Sequence, residues 1–175
     1  MKSLSLFGLL ILGLVVTGCG GDGDSPTAPS PASSAMFTAA LRPANEVPPV
    51  TDNEATGSGT ATMTFNLTKD AAGNITAATM DATVSVTGFP PGTTLTASHI
   101  HPGATGTNGG VLVNLGLAPG EISFASGSGS FTKRGVSLTV DQANSIMGNP
   151  AAFYLNIHTA ANSGGVARGQ LTRVQ

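Results

Sequence analysis

The chain has 175 residues and a formal net charge of −2, and 9 % of its residues are charged while 40 % are hydrophobic. The hydrophobic share excludes a disordered chain, and the lack of a basic excess argues against nucleic acid as a partner. Because Lys, Glu and Arg are scarce while Thr, Val, Ser and 24 glycines are plentiful, the composition favours short β-strands joined by turns rather than helices.

The first 18 residues are typical of a bacterial export signal. Lys2 supplies a short positive region, and the apolar run 4–16 is too short to span a membrane comfortably. The next residues, Val16-Thr17-Gly18-Cys19, resemble the lipobox of bacterial lipoproteins, in which the Cys is diacylated and becomes the first mature residue. We therefore predict a lipoprotein signal peptide over 1–18 and lipid attachment at Cys19. The alternative is an ordinary secretory peptide with an incidental Cys.

Residues 19–35 are rich in Gly, Ser and Pro and lack the apolar side chains needed for a core. We predict that they form a flexible tether between the lipid and one domain over 36–175. Gly20 rather than Asp follows the Cys, which by the sorting rule for diderm lipoproteins indicates the outer membrane if the host has two membranes. The predicted location is therefore the cell envelope, with the N-terminal lipid as the contact with the membrane.

Alternating apolar and polar residues predict the strands of this domain. The clearest case is 59–67, where Ala61, Met63, Phe65 and Leu67 share one face and polar residues the other. One helix is predicted over 141–147, with Asp141 as its N-terminal cap and Gly148 closing it. About eight or nine short strands and one helix indicate an all-β fold, an antiparallel β-sandwich or a partly open barrel. The strand segments are 36–41, 59–67, 75–86, 95–101, 111–115, 122–124, 127–132, 153–158 and 164–171.

All three histidines lie in two of these predicted strands. Since side chains alternate along a strand, Leu95, Ala97, His99 and His101 are expected on one face, and two imidazoles on one face offer half of a Zn or Cu site. If the strand 153–158 lies beside them, His158 completes the site. The alternative is that the imidazoles bond to backbone of the glycine-rich loop after residue 102.

Four motifs resemble those of the CHRD domain, named after chordin, in order and spacing. They are NEVPPV at 45–50, HIHPG at 99–103, NIHT at 156–159 and GGVARGQL at 164–171, and the resemblance covers about residues 36–174. It implies an immunoglobulin-like β-sandwich with limited similarity to copper/zinc superoxide dismutases, and no settled activity.

The likeness to the dismutases implies roles for single residues. His99, His101 and His158 look like copper ligands of that enzyme, and Arg168 looks like the arginine that guides superoxide. With three His and one Cys in the chain, the bridging histidine, the further zinc ligands and the disulfide of the dismutase have no counterparts, so a binuclear site is excluded. A mononuclear Cu or Zn site remains open.

Two charged residues are candidates for supporting such a site. Glu46 is the candidate for a fourth ligand or for a carboxylate that orients an imidazole. Its alternative role is to hold the Pro-Pro loop against the sheet. Arg168 has the alternative role of tying the last strand to a loop carboxylate. Tyr154 and Asn156 share the face of His158, and we expect them to order that face rather than react.

These features predict a lipid-anchored envelope protein whose CHRD domain acts as a binding or structural module. Its ligand is predicted to be an envelope or extracellular protein, a matrix component or a metal ion. The alternative function is a mononuclear copper or zinc redox protein. No catalytic residue is predicted, because the mature domain has no free thiol, no Gly-x-Ser-x-Gly motif and no evident carboxylate pair.

Overall fold

A computed structural model describes residues 32–174 of the chain. The predicted signal peptide over 1–18, lipid attachment at Cys19 and most of the segment 19–35 lie outside these residues. No helix between 32 and 174 combines the length and apolar character needed to cross a membrane.

The described chain forms ten strands and one α-helix. The helix α1 is Val140–Gly148, and single 3-10 turns occur at Pro43–Asn45, Asn53–Thr56 and Pro150–Ala152. The strands are β1 Ser33–Leu41, β2 Ser58–Lys69, β3 Ile75–Thr87, β4 Thr93–Pro102, β5 Val113–Asn114, β6 Ile122–Phe124, β7 Gly129–Leu138, β8 Phe153–Thr159, β9 Ala167–Gln170 and β10 Thr172–Arg173.

Two antiparallel sheets pack as a sandwich. The first has the order β10-β1-β2-β3-β7, and the second has the order β5-β4-β8-β9, with β6 also paired to β4. The core lies between them and includes Ala61, Met63, Phe65 and Leu67 of β2, so the alternation seen in the sequence marks the buried face. Phe65 contacts Phe37 of β1 with ring centroids 4.9 Å apart. The predicted antiparallel β-sandwich with one short helix is confirmed.

Strand β4 departs from simple alternation. Its register with β8 shifts between Leu95 and Ala97, so two steps along β4 match one step along β8. Leu95 is therefore in the core at 1 % exposure, and the same buried face continues with Ser98 and Ile100. The expectation that Leu95 shares a face with the histidines is wrong, because the bulge reverses the side-chain order before them.

Helix α1 begins one residue before the predicted start, and its cap is Thr139 rather than Asp141. The Thr139 hydroxyl accepts a bond from Gln142 N at 3.1 Å, and the Gln142 side chain accepts from Thr139 N at 2.8 Å. Asp141 lies in the first turn, where a negative charge suits the helix dipole. Gly148 is the last helical residue, and Asn149 follows as the C-terminal cap.

Candidate metal centre

The second sheet brings the three histidines together on the face opposite the core. His99 and His101 lie on β4, and His158 lies on the neighbouring β8, in register with Ala97. One nitrogen from each imidazole lies within 4.8 Å of the other two. His101 and His158 are each 7 % exposed, while His99 is half-buried. The cluster therefore has two interior members and one that borders solvent.

Backbone carbonyls fix which nitrogen of two imidazoles carries the hydrogen. His101 Nδ1 lies 3.0 Å from Gly109 O, and His158 Nδ1 lies 2.9 Å from Ser163 O. Because a carbonyl oxygen only accepts, both Nδ1 atoms are donors, and in the neutral rings both Nε2 atoms keep their lone pairs. His101 Nε2 is buried and has no hydrogen-bond partner. Both rings thus have the tautomer in which Nε2 is available as a ligand.

The third imidazole closes the cluster. His99 Nδ1 lies 3.1 Å from His158 Nε2, and the planes of these two rings meet at 63°. Burial, with repulsion from the other two imidazoles, lowers the pKa of His99 to about 4. Burial also lowers the pKa of His158, although its bond to Ser163 opposes this. His99 and His158 are therefore neutral at pH 7, which is the form that binds metal ions.

An aromatic ring holds His101 in place. Tyr154 stands opposite His101 on β8, and the two rings stack with centroids 5.0 Å apart and planes 7° apart. The Arg168 guanidinium lies 4.5 Å from the centroid of the same tyrosine ring. Stacking of this kind limits rotation of His101, so its Nε2 keeps a fixed direction.

Arg168 is 2 % exposed, and its polar contacts are with two loops. Its guanidinium donates to Asn45 O at 2.6 Å and to Thr107 O and Asn108 Oδ1, each at 3.0 Å. Its Nε also lies 3.5 Å from Glu46 Oε2. These contacts tie β9 to both loops. Its role as an anion guide stays a prediction, and such a role would require an anion to reach a buried side chain.

Glu46 is buried beside Arg168 and lies outside the histidine cluster. Burial raises the pKa of its carboxyl to about 7, and the charge of Arg168 opposes this increase. Among residues 32–174 the cluster of metal-ligating atoms consists of the three imidazoles without a carboxylate. The role of Glu46 as a ligand or as a partner of an imidazole stays a prediction.

The sequence did not identify the two backbone carbonyls that bind the imidazoles, those of Gly109 and Ser163. Gly109 lies in the glycine-rich loop proposed as a partner, but Ser163 follows β8 in a loop without a recognisable pattern. Backbone carbonyls leave no mark in residue identity, so only the loop conformation reveals them. A cleft of about 340 Å³ lies between residues 47–52 and 161–165, and no histidine lines it.

No curated protein and no solved structure shows significant similarity to this chain. A family model described as the CHRD domain matches residues 37–171, a span that includes the three histidines, Glu46 and Arg168. The chain therefore belongs to the CHRD domain family.

Proposed function

We propose that this CHRD domain is a binding module whose ligand is one copper or zinc ion, held by His99, His101 and His158. The observation that supports this most directly is the buried Nε2 of His101, a lone pair without a partner. It lies in a cluster whose other members also present nitrogen lone pairs. Buried acceptors are normally satisfied, and a cation bound among the three imidazoles satisfies this one.

The spacing of the nitrogens suits such an ion after a small contraction. Metal–nitrogen distances of about 2.0–2.1 Å in a tetrahedral site correspond to nitrogens about 3.3–3.5 Å apart. The observed separations range from 3.1 Å between His99 and His158 to at most 4.8 Å across the cluster. Ring rotations that move a nitrogen by about 1 Å bring all three into range, and three imidazoles leave a fourth position open.

Metal analysis tests this proposal. Full-length protein in detergent is dialysed against micromolar zinc or copper, and its metal content is measured beside His101→Ala and the control Thr83→Ala, on the exposed face of the first sheet. We expect one ion per chain in the wild type and the control, and none in His101→Ala. Absence of binding in the wild type contradicts the proposal. A histidine variant that only loses about 1–3 kcal/mol of stability then assigns the imidazoles a structural role.

A redox role for bound copper is the second candidate, because His99 is only half-buried and a small reactant from solvent can reach the cluster on that side. The copper-loaded protein is assayed for superoxide removal against an equal concentration of free copper. Activity above that of free copper, lost in His101→Ala, supports this role. Activity equal to that of the free ion contradicts it.

We also propose that the module is anchored in the cell envelope by a lipid on Cys19, in the outer membrane of a diderm host. Besides the membrane, its proposed partner is an envelope or extracellular protein. Labelling of cells with a fatty-acid analogue tests the anchor. The wild type should carry label and sediment with membranes, whereas Cys19→Ser should do neither. Equal labelling of both proteins contradicts the assignment.

A further inference from the structure

We infer that Asn156 is the fourth ligand of the proposed ion, through its side-chain oxygen; this inference rests on the proposed function. Asn156 is 1 % exposed and lies on β8, two residues before His158 and in register with His99 on β4. Its Oδ1 lies 2.9 Å from His158 Nε2. The amide oxygen is thus beside two of the three imidazoles.

Neither atom of the contact between Asn156 Oδ1 and His158 Nε2 carries a hydrogen to donate. His158 Nδ1 donates to Ser163 O, so Nε2 of the neutral ring is an acceptor, and an amide oxygen is an acceptor as well. His99 Nδ1 brings at most one hydrogen, and it points along the 3.1 Å line to the same Nε2. Two buried lone pairs 2.9 Å apart therefore face each other, which is unfavourable unless a cation lies between them.

The His158 ring is 7 % exposed, so water offers the two facing acceptors little compensation. A metal ion bound to Nε2 and Oδ1 removes the conflict, because both lone pairs then face the cation. The two atoms need only separate by about 0.5 Å to reach the spacing of about 3.3–3.5 Å in a tetrahedral site.

The nitrogen of the Asn156 amide lies on the side of Glu46. A Cβ built on Gly165 would lie 2.6 Å from Glu46 Oε1 and 2.8 Å from Asn156 Nδ2. The amide nitrogen and the carboxylate thus lie against the same glycine. Turning the amide over would bring its oxygen to the side of Glu46, which is an acceptor when it is ionised. The ionised form of Glu46 therefore favours the orientation in which Oδ1 points toward the histidines.

Substitutions of Asn156 separate a ligand from a residue that only positions His158. Asn156→Leu removes the oxygen at similar volume, whereas Asn156→Asp keeps an oxygen at the same place and adds charge. If Oδ1 binds the ion, we expect about 100-fold weaker zinc binding in Asn156→Leu and binding at least as tight as wild type in Asn156→Asp. Asn114→Leu is the matched control, because Asn114 is exposed on β5 and also lies in register with His99.

The experiment uses full-length protein in detergent and titrates Zn²⁺ and Co²⁺. Cobalt gives visible absorption bands whose positions report the ligand set, so Asn156→Leu should shift them while Asn114→Leu should not. If Asn156→Leu does not fold, Asn156→Ala takes its place. Wild-type binding with unchanged affinity and unchanged bands in Asn156→Leu overturns the inference and leaves the proposed function standing. Absence of binding by the wild type overturns both.

Discussion

At the scale of single residues, Glu46 shows how burial changes the pKa of a carboxyl group whose oxygens are not fully hydrogen-bonded. Its Oε2 lies 3.5 Å from Arg168 Nε, and its Oε1 is buried without a hydrogen bond. Desolvation therefore outweighs the attraction of Arg168 and raises the pKa of the carboxyl from 4.5 to about 7. The charged form is disfavoured in the folded state.

This shift predicts a pH dependence of stability. Between about pH 4.5 and 7 the unfolded chain loses this proton before the folded chain does, so Glu46 makes folding less favourable as pH rises through that window. Below the window the group has no effect, and above it the cost is constant at up to about 3 kcal/mol. Urea unfolding at several pH values, with a chelator present to remove metal ions, measures how the free energy of unfolding depends on pH.

Glu46→Gln is the matching variant, because it keeps the shape and does not titrate. The stability of the wild type relative to Glu46→Gln should therefore fall from pH 4.5 to 8. Parallel pH profiles of the two proteins would show that the carboxyl is not shifted.

Gly109 is a second residue on which the site depends. A Cβ at this position would lie 1.7 Å from Pro102 O, at the end of β4, and the carbonyl of Gly109 accepts from His101. We predict that Gly109→Ala lowers stability by about 1–3 kcal/mol, the usual range for overpacking, and weakens zinc binding. Gly110→Ala is the control, because no atom lies within 4 Å of its added Cβ. Equal effects of the two substitutions, measured by unfolding and calorimetry, would contradict this account.

At the scale of elements, strands can be predicted accurately from the sequence where one face is uniformly apolar. The prediction becomes less accurate where a bulge interrupts the two-residue alternation of apolar and polar side chains. Strand β2 was predicted nearly to its ends. Strand β7 was predicted to end at 132 but continues to Leu138, because a register shift between Met80 and Ala82 of β3 accommodates Arg134 and Gly135. Gly135 takes a φ of +64°, which a glycine adopts without strain. Neither this bulge nor the one in β4 leaves a pattern in residue types.

Helix α1 provides a test at this scale. Thr139 and Gln142 form two reciprocal hydrogen bonds at its start, and its own residues Ala143 and Ile146 are buried. We predict that Thr139→Ala lowers the free energy of unfolding by about 1 kcal/mol. Asp141→Ala, at the residue expected from the sequence to be the cap, should cost about half as much or less, through the dipole alone. Thermal unfolding compares the two variants, and a larger effect of Asp141→Ala would contradict the capping assignment.

At the scale of the whole molecule, the two sheets differ in what covers their outer faces. The first leaves a row of threonines facing solvent, one from each of its five strands in register: Thr172, Thr38, Thr62, Thr83 and Thr132. The second is covered by loops, which bury Tyr154, Asn156 and His158 of β8 and Arg168 of β9. That difference gives the histidines an enclosed setting.

The sequence could place His99 and His101 on one face, since alternation fixes this within a strand. It could not place His158 beside them, because that depends on which strands are neighbours, and only the family resemblance pointed to it. The backbone carbonyls that orient the rings and the position of Asn156 depend on loop conformations and strand register together. These have no signature in a single sequence.

The central claim is that the folded domain holds one ion in its histidine cluster, and the coupling of metal to stability tests it most directly. The free energy of unfolding of the full-length protein in detergent is measured against zinc concentration, beside His101→Ala. A site that exists only in the folded state predicts a gain of about 2.7 kcal/mol at 100 times the dissociation constant, absent in the variant. Unfolding that is independent of zinc in the wild type would contradict the claim.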